Sequence, residues 1–287
     1  MSDVFLITGS SRGLGRAIAE AALAAGHRVA ATARRLEQLD DLDARYGDQI
    51  AAVALDVTDY GAATRAAQST VETFGRLDAV VNNAGYGDLA SVEDMTIDAF
   101  RAQIETNLLG VVNVTKAALP VLREQGSGHI IQISSLGGRI ANPGLSAYQA
   151  AKFAVGGFSE ALAQEVAPLG IKVTMLEPGG MRTDWAGSSM TIPPVSEPYE
   201  PTVGPVAALM HGRSAGPVGG PAKVAAAVLQ VAAMDEPPLR LLLGSDAVAY
   251  AEAAAQARAA ADASWRNLSF STDRDDLRPT TALGSSR

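Results

Sequence analysis

The feature that most limits how this chain can fold is a short apolar run that passes through a glycine turn straight into a helix. Val4-Phe-Leu-Ile7 reads as a strand buried on both faces of a parallel sheet. Thr8-Gly-Ser-Ser-Arg-Gly-Leu-Gly15 follows at once, and then the alanine-rich, helical Arg16 to Ala25. Glycines in that position permit a tight turn and let backbone N–H groups approach an anion at the helix N-terminus. The spacing Gly9, Gly13, Gly15 is not the commonest dinucleotide fingerprint. An ordinary glycine-rich turn is therefore the alternative. Arg12 favours the anion: a cation at a helix N-terminus opposes the macrodipole unless a negative group sits there.

Strand and helix then alternate. Strands are expected at Arg28 to Ala33, Ile50 to Leu55, Asp78 to Asn82, His129 to Ser134, Ile171 to Leu176 and Leu239 to Leu243. Between them, helices are expected at Asp59 to Phe74, Ile97 to Leu122, Ala147 to Ala167 and Ala222 to Met234, with Ala247 to Arg266 last. Such alternation implies parallel strands joined by right-handed crossovers, hence an α/β fold with one doubly wound, Rossmann-type sheet and helices on both faces. Residues 1–250 form that domain, and 251–287 form a C-terminal helix and polar tail. Seven of the 14 prolines fall between Pro193 and Pro221. Residues 186–221 are thus expected to lack a long regular element and to serve as a lid over the site.

The chemistry is expected at Gln132-Ile-Ser-Ser135 and Ser146-Ala-Tyr-Gln-Ala-Ala-Lys152. Positions i and i+4 of a helix share a face, so Tyr148 and Lys152 can converge. A neighbouring ammonium favours the phenolate of a tyrosine and brings it toward acid–base use near neutral pH. Ser135 would hold a substrate oxygen against the phenol. Ser146 and Gln149 fit a capping box that places Tyr148 in the first turn. Without its surroundings, Tyr-x-x-x-Lys is a weak signal, and an aromatic on a core face beside a solvated lysine is the commoner reading.

Other positions leave two readings open. Strand two ends in Ala33-Arg34-Arg35. Ala33 cannot accept from a ribose hydroxyl, whereas Arg34 offers a planar fork suited to a 2′-phosphate; otherwise the arginines solubilise the next helix. Asp56 either accepts from an adenine amino group or caps the following turn. Asn107 is a solvated amide, or it holds a water by disturbing the helical ladder. The Gly156-Gly157 pair is expected to let another backbone approach. Tyr86, Ile140, Leu145 and Trp185 line a greasy pocket or pack the lid.

Composition excludes several classes. A net charge of −8 opposes phosphate-backbone binding, so nucleic acid is not an expected partner. Cysteine is absent, which suits a reducing compartment. No apolar stretch approaches the ~20 residues of a membrane span. The expectation is a cytoplasmic protein without membrane contact. His27, His129 and His211 are far apart in the chain, His27 and His129 on the solvent edge opposite the ligand face, and no metal site is expected.

Taken together, Thr8-Gly9-x-x-x-Gly13-x-Gly15, Asn82-Asn83-Ala84-Gly85, Asn107, Ser135, Tyr148-x-x-x-Lys152 and Pro178-Gly179 with Thr183 closely resemble the short-chain dehydrogenase/reductase family. The resemblance covers about residues 3 to 245, with no departure at the catalytic positions. It implies an oxidoreductase interconverting a secondary alcohol and a ketone, with NADP(H) preferred over NAD(H). Tyr148 would be the acid/base, Ser135 would polarise the carbonyl, and Lys152 would bind the nicotinamide ribose. Asn107 would hold a relay water. Cofactor contacts are implied for Gly9, Ser11, Arg12, Gly13, Leu14, Gly15, Arg34, Asp56, Val57, Asn83, Ala84, Gly85, Tyr148, Lys152, Pro178, Gly179 and Thr183. Ser135, Tyr86, Tyr148 and Trp185 would meet a small carbonyl or alcohol substrate of lipophilic character. A homo-oligomer, dimer or tetramer, is expected from the resemblance and from the small residues after Tyr148. The alternatives are an epimerase or dehydratase using the cofactor transiently, or a non-catalytic NADP(H) sensor.

Overall fold

A computed structural model of the chain describes residues 2–181, 190–211 and 219–274. Among them, strands β1 (Val4–Ile7), β2 (Arg28–Ala33), β3 (Ile50–Ala54), β4 (Ala79–Asn82), β5 (Gly128–Ile133), β6 (Ile171–Pro178) and β7 (Arg240–Leu243) form one sheet. Their spatial order is β3-β2-β1-β4-β5-β6-β7, and every neighbouring pair is parallel. The apolar runs serve both faces by alternation. Phe5, Ile7, Val29, Ala31 and Ile131 pack with α1 (Gly13–Ala24) and with a helix near the C-terminus, Pro221–Ala232. Val4, Leu6, Ala30, Val80 and Ile130 face the other way, onto α3 (Tyr60–Phe74) and the helices before and after β5. Between β2 and β3 lies the short α2 (Asp40–Tyr46). The expected doubly wound sheet, with helices on both faces, is the observed one.

Some local expectations are corrected. The single helix expected from Ile97 to Leu122 is α4 (Ile97–Ile104), a π-helical turn (Glu105–Leu109) and α5 (Gly110–Gln125). The cause is Asn107, which is fully buried rather than solvated and bonds inward, so one turn takes an extra residue. Helix α6 (Ser146–Val166) follows Leu145 at its N-cap, and the Ser146–Gln149 capping box is not formed. Gln149 instead accepts from the Asn142 N–H at 2.8 Å and braces the preceding loop. At Gly156 the close neighbour is a side chain: a Cβ there would lie 2.7 Å from Nη2 of Arg240, while a Cβ on Gly157 would meet nothing within 4 Å.

The described part of the expected lid holds one short helix, α7 (Gly204–His211), and a 3₁₀ turn at Glu197–Tyr199. Val203, Ala207 and Met210 pack on Leu89 and Leu145 of the body. Tyr199 donates to Glu93 at 2.6 Å, and Ser196 donates to Asp94 at 3.0 Å. Met181 pairs with Gly219, so this excursion leaves and rejoins the body at one place. Helices α8 (Pro221–Ala232) and α9 (Ser245–Phe270) complete the described chain. Ala247 and Ala251 of α9 dock against Leu136, Ile140 and Leu242, and its later turns are exposed.

His129 sits at the amino end of β5 as expected, but it is buried, 4% exposed, instead of on a solvent edge. Thr174 gives its only hydroxyl proton to Pro238 O at 2.9 Å, so it accepts from His129 Nε2–H, also at 2.9 Å. Burial, with help from the charge of Lys172, pushes the imidazole down to about 4. The unfolded imidazole, near ~6.5, binds a proton more readily than the folded one. Folding stability therefore falls as pH drops from about 6.5 toward 4. His129→Gln should flatten that acid limb by about 2–3 kcal/mol in urea titrations run across this range. An acid limb as steep as in the wild type would refute the assignment.

Candidate active site

Where parallel strands leave a sheet in opposite directions, a crevice opens at their carboxyl ends. Here that point lies between β1 and β4, and a cavity of about 980 Å³ occupies it. Gly9 and Gly13 have φ of +69° and +59°, which turns the chain at the β1 exit so that α1 begins facing the cavity. Arg12 holds the N-cap position of α1, and no acidic residue lies in its first turn. Gly15 does not line the cavity. It lets α1 approach β1 and β4, since a Cβ there would lie 2.3 Å from Gly9 O and 2.4 Å from Asn83 Nδ2.

The β1 turn is tied to the β4 exit through Thr8, a residue in the motif but not among the expected contacts. Its hydroxyl accepts from the N–H groups of Asn83 and Ala84, both at 2.9 Å, while Asn83 Nδ2 donates to Thr8 O at 2.9 Å. Gly9, Ser11, Arg12, Gly13, Leu14, Arg34, Asp56, Val57, Asn83, Ala84 and Gly85 all border the cavity. Asp56 Oδ1 accepts from Thr58 N–H at 3.0 Å and from its hydroxyl at 2.7 Å, so the turn-capping role is real even though the residue also faces the cavity. Its carboxyl is held below the usual range by the Thr58 N–H, with the Thr58 hydroxyl and the charge of Arg34 helping.

The groups expected to react lie at the end of β5 and the start of α6. Ser135 caps a 3₁₀ turn, Leu136–Gly138, and its Oγ accepts from Gly137 N–H at 2.9 Å. Its own proton is thereby left for the neighbouring Tyr148, whose pKa burial raises and the Ser135 hydroxyl lowers. Lys152 donates to Ile133 O at 2.9 Å, and its Nζ stands 5.7 Å from the centre of the Tyr148 ring. The expected fall in the phenol pKa is not what this arrangement produces. Burial pushes Tyr148 up to about 12, with the Ser135 hydrogen bond opposing, and pushes Lys152 down to about 8. Desolvation wins because both heads are almost wholly buried.

Asn107 Nδ2 donates to Tyr86 O at 2.8 Å and to Gln103 O at 2.9 Å, and Oδ1 accepts from Tyr86 N–H at 3.2 Å. Both amide protons are spent on clamping the β4 exit to the π-turn. A Cβ at Gly85 would lie 2.5 Å from that Oδ1. The β6 exit supplies Pro178, Gly179, Gly180 and Met181 to the cavity. Asp246 of α9 accepts from Gly180 N–H at 2.8 Å and occupies the space a Gly179 side chain would need. Tyr86 lines the cavity, whereas Ile140 and Leu145 do not and pack under α9 and the lid. Thr183 and Trp185 lie outside the described residues. Ala102, Thr106, Ser134 and Met181 also face the cavity. Of these, Ser134 lies in the Gln132–Ser135 stretch singled out in the sequence, and Thr106 lies beside Asn107.

Residues 3–191 match the family model described as short chain dehydrogenase. The chain belongs to the short-chain dehydrogenase family. This short-chain dehydrogenase is 59% identical over 273 residues to "Oxidoreductase BOA17" of Botryotinia fuckeliana, covering 95% of this chain and 100% of the relative. It is similar to the crystal structure of a short-chain dehydrogenase from Streptomyces avermitilis, with 42% identity, TM-score 0.89 and coverage of 96% and 99%. A short chain dehydrogenase from Burkholderia cenocepacia in complex with NADP shares 27% identity at TM-score 0.73, covering 91% of this chain and 96% of that one. A member from Burkholderia phymatum in complex with NAD, 22% identical at TM-score 0.76, covers 88% and 92% and shares the fold. The protein is accordingly an oxidoreductase of this family.

A dinucleotide fits these residues: Gly9 and Gly13 present backbone without side chains to the cavity, and a helix N-terminus faces in. Gly15→Ala puts a methyl against backbone that cannot yield. It should cost about 1–3 kcal/mol in chemical denaturation and weaken binding of NADH and NADPH about tenfold or more in fluorescence titration. Wild-type values for both would overturn the packing role.

Proposed function

We propose that this short-chain dehydrogenase interconverts a secondary alcohol and a ketone with NADP(H), using Tyr148 as the acid/base. The observation that carries this reading is the meeting of the Tyr148 phenol, the Ser135 hydroxyl and the Lys152 ammonium beside one cavity. A bound nicotinamide would supply or accept the hydride. In reduction, Ser135 and Tyr148 hold the carbonyl oxygen, and Tyr148 O–H gives up its proton to it. The phenolate left behind is stabilised by the Ser135 donor and by the positive charge of Lys152. In oxidation the same phenolate accepts the alcohol proton. Because the side-chain amide of Asn107 is spent, a relay water at this residue falls to its main chain within the π-turn.

Support for NADP(H) comes from the β2 exit. Ala33 has no carboxylate to accept from a ribose hydroxyl, and Arg34 and Arg12 both border the cavity. A 27% identical relative was crystallised with NADP. Tyr86, Ala102 and Met181 on the cavity wall suit an apolar group on the carbonyl compound.

Tyr148→Phe should lower kcat by about 10²–10⁴-fold and leave the NADPH dissociation constant within a few fold. Undiminished turnover of that variant on a carbonyl panel, followed by NADPH absorbance, would remove Tyr148 from the acid/base role. Arg34→Asp should cut the preference for NADPH over NADH in kcat/KM by about tenfold or more. A ratio equal to the wild type would count against a phosphate clamp at Arg34.

A further inference from the structure

A carboxylate buried within a sheet needs a partner for each oxygen. Glu177, next to last in β6, has no exposed surface. Its Oε2 accepts from Arg139 Nε at 2.7 Å and lies 2.6 Å from Arg139 Nη2. Its Oε1 accepts from Arg240 Nη1 at 2.6 Å. Arg240 in turn donates to Glu160 of α6 at 2.8 Å and finds room against that helix only because Gly156 has no side chain. Stability alone does not account for such a cluster, since well-packed apolar replacements of a buried ion triad are often neutral or stabilising.

Its location suggests what it does. Arg139 closes the turn that Ser135 opens: Gly138 N–H bonds Ser135 O at 2.9 Å, and Arg139 N–H bonds Leu136 O at 2.8 Å. Glu177 immediately precedes Pro178 and Gly179, which border the cavity. One buried carboxylate therefore joins the turn that aims the serine to the strand end that walls the cofactor side. We propose that Glu177 and Arg139 are positioning residues that hold the Ser135 hydroxyl on Tyr148. This rests on the acid/base reading above. Neither side chain touches the reacting atoms. They set the register between two separately folded edges of the site, and an error of about 1 Å there can cost on the order of 100-fold in rate.

The test is Arg139→Met, which keeps an aliphatic stem and leaves Glu177 paired with Arg240. Arg139→Lys is the conservative partner, and Glu160→Gln, at the outer edge of the cluster, is the control. In Arg139→Met, kcat should fall about 10- to 100-fold, with the NADPH dissociation constant within about threefold. The pH at which alcohol oxidation gains its base should move upward, because a Ser135 that no longer donates leaves the phenol harder to ionise. Arg139→Lys should recover part of kcat, and Glu160→Gln should match the wild type. A crystal structure of Arg139→Met with NADP should show Ser135 Oγ beyond hydrogen-bond reach of Tyr148 Oη. If Ser135 stays in place, or kcat and the pH profile are unchanged while only the melting temperature falls, the positioning role is overturned. A wild type inactive on every alcohol and carbonyl tried would sink the proposed reaction, and the crystallographic arm would still decide the positioning.

Discussion

The site depends on a constraint of chain direction. β1 and β4 are adjacent and parallel, yet the chain leaves one toward β2 and the other toward β5, so no crossover can cover the gap at their carboxyl ends. The sheet cannot close this opening without breaking its own connectivity. What remains is to hold its rims at a fixed separation, and Thr8 with Asn83 does so through bonds that cross from the β1 turn to the β4 exit. Gly15 belongs to the same device, because any side chain there would wedge α1 away from both.

Burial then sets the electrostatics. A dry site pushes a phenol and an ammonium toward their neutral forms, and the directions found for Tyr148 and Lys152 are both of that kind. At neutral pH this leaves the phenol protonated, as a proton donor must be, and Lys152, lowered to about 8, still mostly charged. Lys152 also donates to Ile133 O, which gives the buried ammonium a partner. In the proposed reaction the ammonium acts on the anion that appears at Tyr148, which is where fixed charge in a low-dielectric site has most effect.

The parts legible in the sequence were those whose physics is local. Alternation of apolar runs with helical stretches was enough for the sheet, since both depend on spacing along the chain. Gly9 with Gly13, and Tyr148 with Lys152, were readable because a turn and a helix fix neighbours three to four residues apart. Asn107 could be singled out but not understood: its amide bonds to Tyr86, 21 positions away, and that contact is what makes the π-turn. Ser146 and Gln149 show the reverse, a valid local pattern overridden by the backbone of Asn142. Glu177 with Arg139 and Arg240, or Asp246 with Gly180, join residues 38 to 66 apart and leave no periodic trace.

These long-range contacts also tie the rims of the site to one another. Gly180 spends its N–H on Asp246 and its carbonyl on Gly219, so the neck from which residues 182–218 depart is fixed on both sides. Ser135 follows β5, Tyr148 and Lys152 lie on α6, and the Ser135 turn is joined to the strand end leading into the neck by the Arg139–Glu177 pair. The neck and the Ser135 turn thus share an anchor in Glu177, so a displacement of one rim is felt at the other.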